Sequence, residues 1–182
     1  MLCGIDEAGR GCIAGPLVVA GCVLLENISG LNDSKKLTEK KREELFTCIS
    51  TSASFKIVSF EHDEVDNRGL SACLKDAISQ IKEHFKECDI LMDGNSTFGV
   101  QGIDTMVKAD AKIPEVSAAS ILAKVTRDRY MYEMDKLYPK YGFASHKGYG
   151  SALHVNKIKE LGPSPIQRMS FKIKSLNQPT LF

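Results

Sequence analysis

The sequence predicts an α/β domain built on a mixed sheet. Three observations lead there. Apolar, β-branched runs at 1–6 and 16–25 and an alternating stretch at 54–60 read as strands, all three near the front of the chain. Further on, strand-like and helix-spaced stretches alternate, as they do when helices cover a sheet. Glycine clusters and prolines fall at the joins between these stretches.

The elements follow in order. Met1-Leu2-Cys3-Gly4-Ile5-Asp6 reads as a strand that begins at once; it lacks the basic segment and apolar stretch of an export signal. Ala8-Gly9-Arg10-Gly11-Cys12-Ile13-Ala14-Gly15 carries three glycines and is irregular backbone. The apolar run 16–25 is the second strand. Thr38 is placed to cap a helix that begins at Glu39 and runs toward Ile49. Residues 54–60 alternate as a strand does. Leu70, Leu74, Ala77, Ile78, Ile81 and Phe85 recur at helical spacing. Asp89-Ile90-Leu91-Met92-Asp93 is a short buried strand ending in an acid, and 102–107 is a further strand candidate. Pro114 opens a long helix over about 115–137, proline being favoured at an early helical position. A last helix spans 151–161, stopped by Gly162-Pro163, and 175–182 reads as a tail.

Composition narrows the function classes. The chain has 182 residues, 43% of them hydrophobic and 26% charged, enough to bury one core and stay soluble. No apolar run approaches 18 residues, so no membrane span is expected. The formal net charge is +1, so a nucleic-acid partner is not visible in bulk charge and would need local segregation of basic residues. Six cysteines are scattered without a C-x-x-C pair, which argues against a thiolate zinc site and suits a reducing cytoplasm.

Four acids stand out by their surroundings. Asp6 and Glu7 follow an apolar strand and precede the glycine loop. Asp93 follows Ile90-Leu91-Met92, and Asp110 follows Met106-Val107-Lys108-Ala109. Each sits where a strand reaches the surface, the usual place for ligands in α/β sheets. A lone Asp after a strand is most often a solvated loop acid or a helix cap. The tandem Asp6-Glu7 is harder to dismiss, since two adjacent acids beside a core strand repel and lose hydration unless a positive charge holds them. Neighbours on a regular strand point to opposite faces, so both reach one site only if the strand bends or ends there. Oxygen-only ligation suits Mg²⁺ or Mn²⁺ rather than zinc. Spacing by itself does not show that the four converge.

Six motifs make the chain resemble one family. Gly4-Ile5-Asp6-Glu7-Ala8-Gly9-Arg10-Gly11 is similar to the opening motif of the type 2 ribonucleases H of bacteria, the ribonuclease HII family. Leu31-Asn32-Asp33-Ser34-Lys35-Lys36-Leu37, Asp93-Gly94-Asn95, Lys108-Ala109-Asp110-Ala111-Lys112, the stretch from Val116 to Arg129 and His146-Lys147-Gly148-Tyr149-Gly150 follow in the family's order. The resemblance implies a ribonuclease H-like fold: a mixed five-stranded sheet flanked by helices, plus a helical C-terminal part. The expected division is one catalytic domain over 1–174 and a tail over 175–182. The resemblance also implies that Asp6, Glu7, Asp93 and Asp110 are the catalytic, metal-binding acids, holding Mg²⁺ or Mn²⁺, two ions during catalysis. The implied substrates are RNA–DNA hybrids and single ribonucleotides embedded in duplex DNA, cut to 5′-phosphate and 3′-hydroxyl ends.

Substrate contacts follow from the same resemblance. Gly9-Arg10-Gly11 looks like the loop that reads the ribose 2′-hydroxyl, the group that separates RNA from DNA; taken alone, the glycines read more readily as a plain tight turn. Tyr149 looks like the tyrosine that stacks on the sugar beside the ribonucleotide, although a tyrosine between glycines can equally be a surface aromatic. Ser34, Lys35 and Lys36 stand in a polar, basic substrate-facing loop, and Lys147 and Arg168 are further candidates for phosphate contact. Asp128 reads as structural, paired with a neighbouring arginine. His146 and His154 are expected to be structural. Cys12 stands where the family usually has proline, which predicts a looser glycine loop. Gln167 replaces a frequent histidine before Arg168, and Asn67-Arg68-Gly69-Leu70 departs from a common pattern before the middle helix.

Two rivals and one appendage complete the reading. Ribonuclease HIII shares the acids but usually carries an extra N-terminal substrate-binding domain, for which the motif at Asp6 leaves no room. A binding module that kept the fold without catalysis is the rival of another class. Gln178-Pro179-Thr180-Leu181-Phe182 resembles peptides that dock on the bacterial sliding clamp; the alternative is that Leu181 and Phe182 fold back onto the body or merely fray. A cytoplasmic monomer is expected.

Overall fold

The computed structural model describes residues 1–173. Five strands form one sheet: β1 Leu2–Ala8, β2 Leu17–Leu24, β3 Ala53–Phe60, β4 Asp89–Asp93 and β5 Asp104–Met106. Their spatial order is β3-β2-β1-β4-β5. The three front strands pair antiparallel, whereas β4 lies parallel to β1 and β5 parallel to β4. The sheet is therefore mixed, as the sequence predicts.

Helices cover both faces because the central strands are apolar on both. α1 Glu39–Ser52 and α4 Pro114–Leu137 bury Leu45, Ile49, Ile121, Leu122 and Val125 against Val18, Ala20 and Cys22. On the other face α3 Leu70–His84 buries Leu74, Ile78 and Ile81 against Ile5, Leu17, Val19 and Met92. Gly4 lets α4 approach closely: a Cβ there would lie 2.3 Å from the Val116 amide nitrogen, so any side chain would push the helix off the sheet. This seats the front of α4 over the strand that carries Asp6.

Helix starts are set locally. Thr38 accepts a hydrogen bond from the Lys41 amide, the expected cap of α1. Thr38→Ala is expected to cost about 1 kcal/mol, readable as a lowered urea midpoint with unchanged slope. Pro114 occupies the first turn of α4. Two short helices are additions to the expected elements. α2 His62–Arg68 starts with a reciprocal Glu61–Glu64 capping box. α5 Phe143–His146 is a single turn between left-handed Gly142 and Lys147. Both are too short to show a period in the sequence. α6 Ala152–Leu161 completes the helical C-terminal part, with Ser151 accepting from the His154 amide.

Candidate active site

Strand pairing brings the first two acidic segments together. β1 and β4 run parallel with Ile5 opposite Met92, so Asp6 and Asp93 occupy neighbouring positions at the carboxyl end of the sheet. β4 stops at Asp93, whereas β1 continues to Ala8. Beyond that stop the β4-side edge of β1 is open, and Asp6 and Glu7 both line a depression of about 180 Å³ there. The difficulty of opposite faces is met where expected: β1 ends at Ala8, one residue past its acids, and the chain turns at Gly9.

Asp110 arrives by a turn. Asp93 Oδ1 accepts a 2.7 Å hydrogen bond from the Ala109 amide. That bond ties the end of β4 to the 3-10 turn Ala109–Ala111, which carries Asp110. The Ser117 hydroxyl of α4 donates to the Asp110 carbonyl and fastens the turn to the long helix. Asp93 and Asp110 line a second depression of about 280 Å³ with Asp33, Lys36 and Lys108. Lys35 lines both depressions, so they adjoin.

The electrostatics show acids under strain. Burial pushes the Asp6 carboxyl up to about 8, with the Glu7 charge adding to it and Asp93 contributing; the Ser120 hydroxyl works the other way. Burial also raises Glu7, opposed first by Arg10 and also by Lys35. Asp110 is raised by burial and then by Asp93, with Lys35 again opposing. Asp93 is thus the charge common to the other three.

A hard divalent cation fits these residues. The donors are all oxygen, their charge is only partly offset by Arg10 and Lys35, and Glu7 Oε2 is buried without a hydrogen-bond partner. Among the described residues no three His, Cys, Asp or Glu side chains close into a ready-made metal cage. The acids stand as neighbours around two adjoining depressions rather than as a clenched cluster.

The loops around the acids are held from beneath. Gly9 has φ +92°, and a Cβ there would lie 2.3 Å from Arg127 Nε and 2.5 Å from the Pro16 carbonyl. Arg127 is fully buried and donates to the carbonyls of Ala14, Pro16 and Lys147. Arg10 reaches back to Glu7 Oε1 at 3.5 Å and lies over the Phe98 ring. Gly11 faces open space. Cys12 does not loosen the loop: it is buried, its amide donates to the Gly9 carbonyl, and it pairs with Tyr149 in an isolated bridge. Gln167 helps, donating to the Ile13 carbonyl at 2.6 Å.

The remaining candidates divide. Ser34, Lys35, Gly9, Arg10, Gly11 and Tyr149 line the same depression as Asp6, and Lys36 lines the adjoining one. Ser34 is buried and shares a 2.8 Å hydrogen bond with Ser120 of α4. Tyr149 is 43% exposed. Arg168 is a correction: it is fully buried and donates to the carbonyls of Gly9 and Gly15, so it supports the loop and does not touch a substrate phosphate. The Lys147 ammonium is also engaged elsewhere, by the Ala144 carbonyl and the Tyr132 ring at 3.9 Å. Asp128 pairs at 2.8 Å with Lys124 and at 3.9 Å with Arg42 from α1, so its nearer partner is a lysine rather than the expected arginine. The segment 178–182 lies outside the described residues.

Ser120 and Lys124 also line the Asp6 depression and were not singled out by the sequence reading. Their signal is present: Ser117, Ser120, Lys124 and Asp128 recur every three or four residues, a polar stripe whose first part interrupts the apolar run Val116–Val125.

Comparison with known proteins gives a consistent result. The family model described as Ribonuclease HII matches residues 3–174. The chain is 57% identical over 182 residues to a ribonuclease HII of Campylobacter concisus, covering 100% of this chain and 98% of that one. Among solved structures it is similar to a chain of the PCNA:RNase HII complex from Archaeoglobus fulgidus, with TM-score 0.83 and 30% identity, covering 100% of this chain and 98% of that chain. It shares its fold with Bst-RNase HIII in complex with Mn²⁺, at TM-score 0.72 and 15% identity, covering 93% of this chain and 66% of that one.

Proposed function

We infer function from kinship and site together: the chain belongs to the ribonuclease HII family, and it is an RNase H endonuclease. Its substrates, on this reading, are RNA–DNA hybrids and single ribonucleotides embedded in duplex DNA, cut to 5′-phosphate and 3′-hydroxyl ends. The observation that carries the site assignment is the shared position of Asp93, which adjoins Asp6 and Glu7 across two parallel strands and holds the turn of Asp110 through the Ala109 amide.

Asp6, Glu7, Asp93 and Asp110 would hold Mg²⁺ or Mn²⁺, two ions during turnover. When bound, such ions supply a water nucleophile at neutral pH and charge to stabilise the leaving 3′-oxygen. The Mn²⁺ in the Bst-RNase HIII structure is of the same hard, oxygen-seeking class. The chain's own residues do the positioning. Gly11 leaves open space in which a sugar can approach the backbone, Gly9 makes room for Arg127 beneath the loop, and Arg10 addresses the 2′-hydroxyl. Lys35 and Lys36 place positive charge beside the acids, where a phosphate backbone is drawn in. Tyr149 offers an exposed ring for stacking on the neighbouring sugar. No protein nucleophile is required.

Metal-dependent cleavage of a duplex containing one ribonucleotide tests this reading. Cleavage at that ribonucleotide in Mg²⁺ or Mn²⁺, and none in chelator, is the expected result. Binding without cutting would instead identify a non-catalytic nucleic-acid-binding protein. The tail 178–182 is proposed to dock on a sliding clamp, as the PCNA complex of the Archaeoglobus enzyme illustrates for a relative. Unchanged clamp capture after deletion of 178–182 would remove that idea. A cytoplasmic setting goes with the reading, and no helix among the described residues is long and apolar enough to cross a membrane.

A further inference from the structure

His146 and His154 form a buried pair outside the acidic site. Their rings stack with centroids 4.0 Å apart and planes 14° from parallel, and Phe143 meets both edge-on. They come from the two helices flanking the loop that presents Tyr149: His146 ends α5 and His154 lies in the first turn of α6. Each ring is bonded to that loop. His146 Nδ1 accepts from the Gly148 amide at 3.2 Å, while its Nε2 faces the Tyr141 carbonyl at 2.9 Å. His154 Nδ1 faces the Tyr149 carbonyl at 2.9 Å.

One protonation pattern satisfies these contacts. His146 carries its proton on Nε2 and donates to Tyr141, which leaves Nδ1 free to accept from Gly148. His154 carries its proton on Nδ1 and donates to the Tyr149 carbonyl. Both rings are then neutral, as suits two imidazoles stacked in the interior. Burial lowers both, His154 to about 4, so the pattern persists at neutral pH. Asp135 favours the charged form of His146 and Lys147 opposes it.

We propose that the His146–His154 stack is the positioning element that fixes Tyr149 for its contact with the substrate sugar. The proposal rests on the reading of Tyr149 as a substrate contact. The Tyr149 peptide is held at three points: its amide donates to the His146 carbonyl, and its carbonyl accepts from the Ser151 amide and from His154. The residue, 43% exposed, lines the depression that holds Asp6, with Lys124 and Arg127 beside its ring. Neither histidine lines that depression, so they act through Tyr149 and are not catalytic residues.

The test is a double-mutant cycle on cleavage of a duplex carrying one ribonucleotide, with folding of each variant checked by thermal unfolding. Tyr149→Ala is expected to lower kcat/KM about tenfold, in line with the loss of one stacking contact. His154→Phe keeps the ring but loses the donor, and is expected to produce a similar loss. Tyr149→Ala combined with His154→Phe should lose no more than Tyr149→Ala alone. His154→Asn, which can place an amide donor where Nδ1 stands, should recover most of the rate. His154→Gln puts its donor further out and serves as the second loss variant where the Phe substitution fails to fold. The Mn²⁺ concentration for half-maximal rate should not move in any of them. Losses that multiply in the double variant, or a His154→Phe rate equal to wild type, overturn the proposal while leaving the Tyr149 reading in place. A Tyr149→Ala rate equal to wild type overturns the Tyr149 reading, and the proposal with it.

Discussion

Replacing Asp6 with Asn is expected to abolish cleavage and, in the metal-free protein, to raise stability at pH 8 and above. Asn keeps the shape but removes the negative charge that would hold a divalent ion. A loss of at least about three orders of magnitude in kcat/KM, ~4 kcal/mol of transition-state stabilisation, is expected. The stability effect has the opposite sign because the carboxyl is buried beside Glu7 and Asp93 and keeps its proton up to about 8. An unfolded chain releases that proton near pH 4. Below pH 4 both states are protonated and the wild type has its full stability. Between 4 and 8 the unfolded state ionises first and stability drains away; above 8 the loss is complete. Asn never ionises. The gain should be about 2 kcal/mol or more at pH 8.5 and fade toward pH 4, since every tenfold difference in proton affinity between the folded and unfolded chain is worth about 1.4 kcal/mol. Thermal unfolding in chelator across that range reads it directly. A variant that still cuts at the wild-type rate, or that is less stable at every pH, contradicts the account of Asp6.

Arg127→Met is expected to be the most damaging substitution away from the acids. The guanidinium is fully buried and bonds the carbonyls of Ala14, Pro16 and Lys147 at 2.9, 2.9 and 2.7 Å. Two of those carbonyls belong to the loop after β1 and the third precedes Tyr149. One side chain therefore joins both substrate-facing loops. Met fills much of the volume but leaves three buried carbonyls without that donor. A loss of about 4 kcal/mol is expected from urea unfolding, within the range for breaking a buried charged network. Arg127→Lys should recover only a small part, because a single ammonium cannot span three acceptors in a planar fork. At temperatures where the variant is still folded, KM should rise. A midpoint within about 0.5 kcal/mol of wild type, the range of ordinary surface changes, would show that the loops are held by something else.

How much of this was legible in the sequence differs from residue to residue. The Ile90-Leu91-Met92 run and the Thr38 cap gave β4 and the start of α1 to the residue, because an apolar run with sharp ends and a cap are local signals. α2 and α5 were missed because seven and four residues are too few to display a helical period. The acids could be picked out singly by their place after strands. Their adjacency could not, since it depends on β1 and β4 pairing in parallel across some 80 intervening residues. Arg168 was misread for a related reason. An arginine near a basic motif suggests phosphate contact, and only tertiary packing shows it pointing inward to the carbonyls of Gly9 and Gly15. The substitution at Cys12 predicted a loose loop, yet the loop is pinned by Arg127, Arg168 and Gln167, whose contributions come from over a hundred residues away. The polar stripe through Ser120 and Lys124 was readable as a helical face, but which way that face turned was not.

Calorimetric titration of Mn²⁺ into the wild type, Asp6→Asn, Asp93→Asn and Asp110→Asn most directly tests whether acids from three segments serve one ion site. Each substitution is predicted to weaken binding at least about tenfold, ~1.4 kcal/mol, with Asp93→Asn affected most because that carboxylate adjoins all the others. Wild-type affinity and stoichiometry in Asp110→Asn or Asp93→Asn would mean that the two depressions work separately, and the shared centre would have to be given up.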